Sequence, residues 1–142
     1  MPRIELELTT RDADSAPTAF AQWVTPIRSS ADACLLLRTD GTISATSPAC
    51  RALLGLPDGI DDHGRTILDG TVRFVNFTAS GGALQRWEAE RIPPLQALHT
   101  GALARGLLRV SAGGVARTLD AISTPLHGDA DVAGSLTFFR RC

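Results

Sequence analysis

Apolar and polar positions alternate most regularly in the last third of the chain. Over residues 132–139, Val132, Gly134, Leu136 and Phe138 fall on one face of an extended segment, and Ala133, Ser135, Thr137 and Phe139 on the other. Two earlier runs, 104–110 and 116–124, have strand-like composition and length. Between them stands Ser111-Ala-Gly-Gly114, whose paired glycines supply the positive φ of a tight hairpin. After the second run comes Pro125-Leu-His-Gly-Asp-Ala-Asp131, a polar turn behind a proline that is not expected inside a central strand. The pattern predicts a three-stranded antiparallel meander. Such a meander is stable only if other elements cover one face.

The rest of the sequence supplies the cover. Residues 4–8 alternate Ile4, Leu6 and Leu8 with Glu5 and Glu7, which reads as a strand in need of a partner. Residues 17–28 carry Phe20, Trp23, Val24 and Ile27 at i, i+3, i+4 and i+7, an amphipathic helix that Pro26 kinks or ends. Two short strands follow, 33–38 and 42–45, joined by Asp40-Gly41, a strong hairpin signal. Ser47-Pro48 then opens a helix over 48–54, with serine as N-cap, proline at the first position and Gly55 as the stop. Residues 66–77 fit a helix (Leu68, Val72, Val75) as well as a β-rich run (Val72, Phe74, Val75, Phe77), and periodicity does not decide. A short helix is expected over 83–91 with Leu84 and Trp87 inward, and another from Pro93-Pro94 to Gly101 with Leu95, Ala97 and Leu98 inward. The expected architecture is α+β: five antiparallel strands, short helices over one face, and an N-terminal amphipathic helix.

Composition narrows the class. A chain of 142 residues, 44% of them hydrophobic, is long enough for one domain with a core. Its formal net charge of −1 and the absence of an arginine cluster argue against a nucleic-acid partner. All 14 basic residues are arginine, which reads as the coding bias of a GC-rich bacterial genome. No apolar run approaches membrane-spanning length and the first residues lack a signal-peptide core, so the expectation is a cytoplasmic protein without a membrane partner. Cys34, Cys50 and Cys142 are an odd number without metal-ligand spacing, which disfavours a disulfide framework or a metal site.

In order and punctuation the chain resembles the PAS family of sensory domains over residues 31–139. The matching features are the apolar strand into Asp40-Gly41-Thr42-Ile43, the helix ending Leu53-Leu54-Gly55, and Pro94-Leu-Gln-Ala-Leu98 before Gly101. Ile122-Ser-Thr-Pro-Leu126, leading through a Gly/Asp turn into the last strand, completes the set. Two features depart from the family. Ser47-Pro48 replaces the asparagine that often begins the first helix, and Arg140-Arg-Cys142 stands where a linker into an output domain usually follows. The resemblance implies a sensory domain over 31–142, preceded by a capping or dimerising element over 1–30.

Candidate chemistry is sparse. Flavin-binding relatives carry a reactive cysteine in an Asn-Cys-Arg motif on a later helix; Ala49-Cys50-Arg51 lacks the asparagine and lies on the first helix, and Cys34 is in a strand. Both read as core residues. His99 ends the helix that carries the axial histidine in haem-binding relatives, but a histidine there is also explained by the helix dipole. His63 and His127 lie in loops. Asp58, Asp61 and Asp62 miss the spacing of a calcium loop. No cofactor and no metal are expected.

The favoured reading is a non-enzymatic sensory or protein-interaction domain of bacterial signal transduction. It has a small aliphatic cavity between sheet and helices, lined by Leu36, Leu53, Leu56, Leu98, Leu108, Ile122 and Leu136, that takes a small apolar ligand. The competing reading is a small α+β enzyme, isomerase- or cyclase-like, using Asp120 or His99 in the same cavity. With the sequence ending at Cys142, output is expected through a surface that meets another chain. The expectation is a homodimer contacting a separate signalling protein, with Phe20, Trp23, Val24 and Ile27 at the dimer interface.

Overall fold

The computed structural model describes residues 20–57, 64–129 and 131–142. The strand-like run 4–8, the start of the helix expected over 17–28, His63 and the aspartates 58, 61 and 62 lie outside the described residues. In chain order the elements are α1 (Val24–Arg28), β1 (Cys34–Arg38), β2 (Ile43–Thr46), α2 (Pro48–Leu54) and β3 (Phe74–Val75). They continue with α3 (Arg86–Ala89), α4 (Pro93–Thr100), β4 (Ala104–Ala112), β5 (Val115–His127) and β6 (Val132–Arg141). The strands form one antiparallel sheet in the order β2-β1-β6-β5-β4-β3.

The punctuation works as the residue types dictate. Gly113 and Gly114, at φ +60° and +80°, make the turn between β4 and β5. Gly41, at φ +83°, turns β1 into β2, and the Asp40 carboxylate holds that turn by accepting from the Thr42 amide at 3.0 Å and its hydroxyl at 2.7 Å. Ser47 caps α2 by accepting from the Cys50 amide at 3.2 Å. The same hydroxyl accepts from the Cys34 amide at 2.9 Å and donates to the Asp32 carbonyl at 2.6 Å, which ties the start of α2 to β1. Gly55 and Gly101 end α2 and α4 in the left-handed region.

Three expectations are corrected. Residues 66–77 give neither a full helix nor a long strand; only Phe74 and Val75 pair, with Val110 and Arg109, and become a sixth strand. Pro125 does not end β5, which runs on to His127. The pairing of β5 with β4 stops at Ser123, opposite Ala104, so at Pro125 there is no neighbour on that side to receive an amide. Trp87 points outward, its ring under the Arg91 guanidinium at 5.5 Å, and Ala89 is the buried residue of α3.

The sheet is covered on both faces. On the inner face, Leu35, Leu37, Ile43, Leu108, Val110, Leu119, Ala121 and Phe139 pack with Cys50 and Leu54 of α2, and with Leu95 of α4. On the outer face a second cluster joins Phe20 and Ile27 to Cys34, Leu36, Ala45 and Leu136. The N-terminal helix therefore packs on the face opposite the other helices. The inner layer also buries three hydroxyls, each with a partner. Ser123 and Thr137 hydrogen-bond each other at 2.7 Å across β5 and β6, and Ser135 donates to the Pro94 carbonyl at 3.0 Å.

Candidate functional site

Strand alternation separates the seven residues expected to line one cavity. Leu53, Leu56, Leu98 and Leu108 lie with the inner cluster. Leu36 and Leu136 belong to the outer cluster beneath α1. Ile122 pairs with Phe138, two residues from Leu136 on the same strand, so it shares that outer face. Strand parity divides apolar residues of facing elements between the two layers. Leu36 and Leu37 are neighbours in sequence, and each faces a different layer.

Two open clefts flank the inner layer. The larger, about 890 Å³, is lined by Leu68, Val72, Phe74, Val75, Leu84 and Ala89, with Asp40, Thr66, Arg73 and Arg86 contributing polar groups. Its floor is continuous with the core through Val72 and Phe74. The smaller, about 510 Å³, runs along β4 from Arg105 to Arg109. Its opposite wall is Glu88, Arg91, Ile92, Pro93 and Gln96, and Val75–Thr78 closes one end. Of the seven expected residues, only Leu108 lines either cleft. The large cleft is wider and more polar than the expected aliphatic cavity. Seven of its lining residues, from Thr66 to Val75, fall in the stretch 66–77, where periodicity does not decide between helix and strand.

The ionisable candidates do not meet in a cavity. Asp120 alternates with the inner-facing Leu119 and Ala121, so it points to the outer face, where the Arg105 guanidinium donates to it at 2.9 Å. That hydrogen bond, helped by the positive charges of Arg105 and Arg140, holds the Asp120 carboxyl below its ordinary value. A general base at neutral pH needs the opposite shift. His99 is exposed on the last turn of α4. Cys34 and Cys50 are buried in different clusters, and Cys142 is exposed. Asp40, in the wall of the large cleft, is committed to its turn, and the hydrogen bond from the Thr42 hydroxyl is the main reason its carboxyl is held low. Among the described residues no group of three His, Cys, Asp or Glu side chains is placed to hold a metal ion, and no helix is long and apolar enough to cross a membrane.

The amphipathic stripe divides likewise. Phe20 and Ile27 are buried on the chain's own sheet, so they are spent within the subunit and are not free for a dimer interface. Val24 packs partly against the same cluster, and Trp23 is 41% exposed. Sequence reasoning missed a second exposed apolar group. Leu107 and Phe138 are 56% and 42% exposed on the outer face, with Ile122 between their strands. The signal was present in the alternation of β6, where Phe138 shares a face with Leu136.

Comparison with known proteins places the fold. No protein-family profile matches the sequence, and no curated protein sequence does. Solved structures do match. A PAS domain from Colwellia psychrerythraea superposes with a TM-score of 0.59 at 15% identity, over 87% of this chain and 97% of that one. The VqmA dimer of Vibrio cholerae, in the absence of target DNA and described in connection with the DNA binding of LuxR-type receptors, matches with a TM-score of 0.60 at 14% identity. That match covers 86% of this chain and 51% of VqmA. The PAS domain of a LuxR-family transcriptional regulator from Burkholderia thailandensis, in complex with ethanol, gives 0.52 at 17% identity, over 82% and 94%. The chain has a PAS-type fold.

Proposed function

We propose that this chain is a non-enzymatic PAS-type sensory or interaction domain of bacterial signal transduction, acting as a homodimer on a separate signalling protein. The observation that carries the reading is the large cleft. It opens onto the core between the segment 66–75 and α3, and it has an apolar floor with a few polar groups at its rim. Its volume, about 890 Å³, is ample for a small apolar molecule. The ethanol-bound structure of the same fold supports a small ligand. The enzyme reading is weaker on this geometry, because Asp120 lies on the far face of the sheet and His99 in solvent. DNA binding is neither assigned nor excluded, since the chain spans about half of VqmA.

Native mass spectrometry of the purified protein tests the ligand. A co-purifying small molecule is expected. It should be lost in Leu84→Trp, which fills the cleft from its half-buried wall. A protein that carries no extra mass and gains no thermal stability from any of a panel of small apolar compounds would sink the ligand reading.

A further inference from the structure

The two clefts share a wall. Val75 and Leu84 line both, and between them the chain runs out and back as a short strap. Its own bonds are few. The Asn76 amide donates to the Gly82 carbonyl at 2.8 Å, Val75 is bridged to Ala83, and the Gly81 amide closes a turn on the Thr78 carbonyl at 3.0 Å. Gly81, at φ +60°, supplies the left-handed residue there. The Asn76 side-chain oxygen accepts from the Thr78 amide at 3.0 Å, an Asx turn that shapes the outgoing limb. A two-stranded hairpin of this size is marginal by itself in water.

What fastens the strap to the sheet is β4. At its root, Phe74 and Val75 pair with Val110 and Arg109, and the Ser111 amide donates to the Arg73 carbonyl at 2.8 Å. Beyond the root β3 has ended, and a side chain continues the attachment. The Arg109 guanidinium donates to the Thr78 carbonyl at 3.0 Å and to the Asn76 carbonyl at 3.3 Å. A planar fork of donors can hold two carbonyls at once, and its charge makes both bonds stronger than neutral ones. Among the described residues no carboxylate pairs with Arg109, so its guanidinium is committed to the strap. The strap in turn bounds the large cleft through Phe74, Val75, Gly81, Ala83 and Leu84, while Val72 on the cleft floor is 2% exposed.

We propose that Arg109 is a positioning residue for the large cleft: it holds the strap 76–83 against β4, and its release lets the strap swing away and opens the cleft floor. This rests on the reading of that cleft as the ligand site, and adds what sets access to it. Residues 75–78 of the strap also line the small cleft, so one movement changes both clefts. An occupant of the large cleft in contact with Val75 and Leu84 therefore acts on the small one without reaching into it. The bistable element this requires is the strap, fastened or free.

Two readouts on the full chain test this without a ligand. By NMR, the Asn76 amide of Arg109→Met should exchange about tenfold faster than that of the native chain, because strap opening no longer breaks two charged bonds. The Phe139 amide, which donates to the Ala33 carbonyl, should keep its rate. Val72→Cys places a thiol on the cleft floor, and its alkylation by iodoacetamide, separated from that of Cys142 by peptide mass spectrometry, reports access. Adding Arg109→Met should speed that alkylation about tenfold. Unchanged exchange at Asn76, or unchanged alkylation at position 72, overturns the proposal. Faster exchange at Phe139 as well overturns it too, since Arg109 would then support the whole sheet. A chain that binds no small apolar compound yet shows both tenfold changes supports the strap and sinks only the ligand reading.

Discussion

In the buried pair Ser123–Thr137 the inner layer of the sheet holds two polar side chains in contact across strands. Each satisfies the other at 2.7 Å, and both are fully enclosed. Removing one partner strands the other. Thr137→Val keeps the shape and should cost about 1–3 kcal/mol, because the Ser123 hydroxyl loses its partner away from water. Replacing both, with Ser123→Ala added, should recover part of that loss. A double-mutant cycle in urea measures the coupling. A coupling indistinguishable from zero would show that each hydroxyl is satisfied elsewhere, for instance by the main chain. Neither residue could be marked from sequence. Thr137 lies in the same alternation as Ser135 and Phe139, and only the register of β6 against β1 and β5 places it opposite Ser123.

The docking of α1 turns on one glycine. A Cβ built on Gly134 would overlap both the Phe20 ring and the Leu37 carbonyl oxygen. The ring can swing away, but the carbonyl belongs to the β1–β6 ladder and has nowhere to go. Gly134→Ala should therefore cost about 3 kcal/mol, the upper part of the overpacking range, seen as a lowered urea midpoint with an unchanged slope. A loss of under about 1 kcal/mol would mean that α1 is loosely held. That helix also shows where sequence reading succeeds and where it stops. The stripe Phe20, Trp23, Val24 and Ile27 was legible by period, as were the Asp40-Gly41 and Gly113-Gly114 turns and the Ser47 cap, because local chemistry decides them. Which layer the stripe meets was not legible, since that depends on pairings more than a hundred residues apart, such as Cys34 with Phe138. The same reason displaced Leu36, Ile122 and Leu136 from the expected cavity. Residues 66–77 stayed ambiguous because their structure is mostly turns and bridges set by β2 and β4, with no period of their own.

Once α1 has covered Cys34, Leu36, Ala45 and Leu136, Leu107 and Phe138 on the same face stay 56% and 42% exposed among the described residues. Leu107, Ile122 and Phe138 are neighbours there across β4, β5 and β6, beside the Arg105–Asp120 pair. An apolar group bordered by an ion pair is the composition of an interface centre with a polar rim. The proposed homodimer is therefore centred on these residues and Trp23, and not on Phe20 and Ile27. Deleting residues 1–28 would strip the cover from Cys34 and Leu36 and expose the second cluster, so a change in assembly would be confounded by unfolding. Phe138→Arg is cleaner, because the side chain is already 42% exposed in the subunit and its replacement creates no cavity. Sedimentation equilibrium should show a dimer for the native chain and a monomer for Phe138→Arg, with the two unfolding at similar temperatures when compared at a concentration where both are monomeric. A variant that stays dimeric moves the interface to another face. A native chain that is monomeric at high micromolar concentration removes the dimer altogether, and the exposed face is then left to the signalling partner.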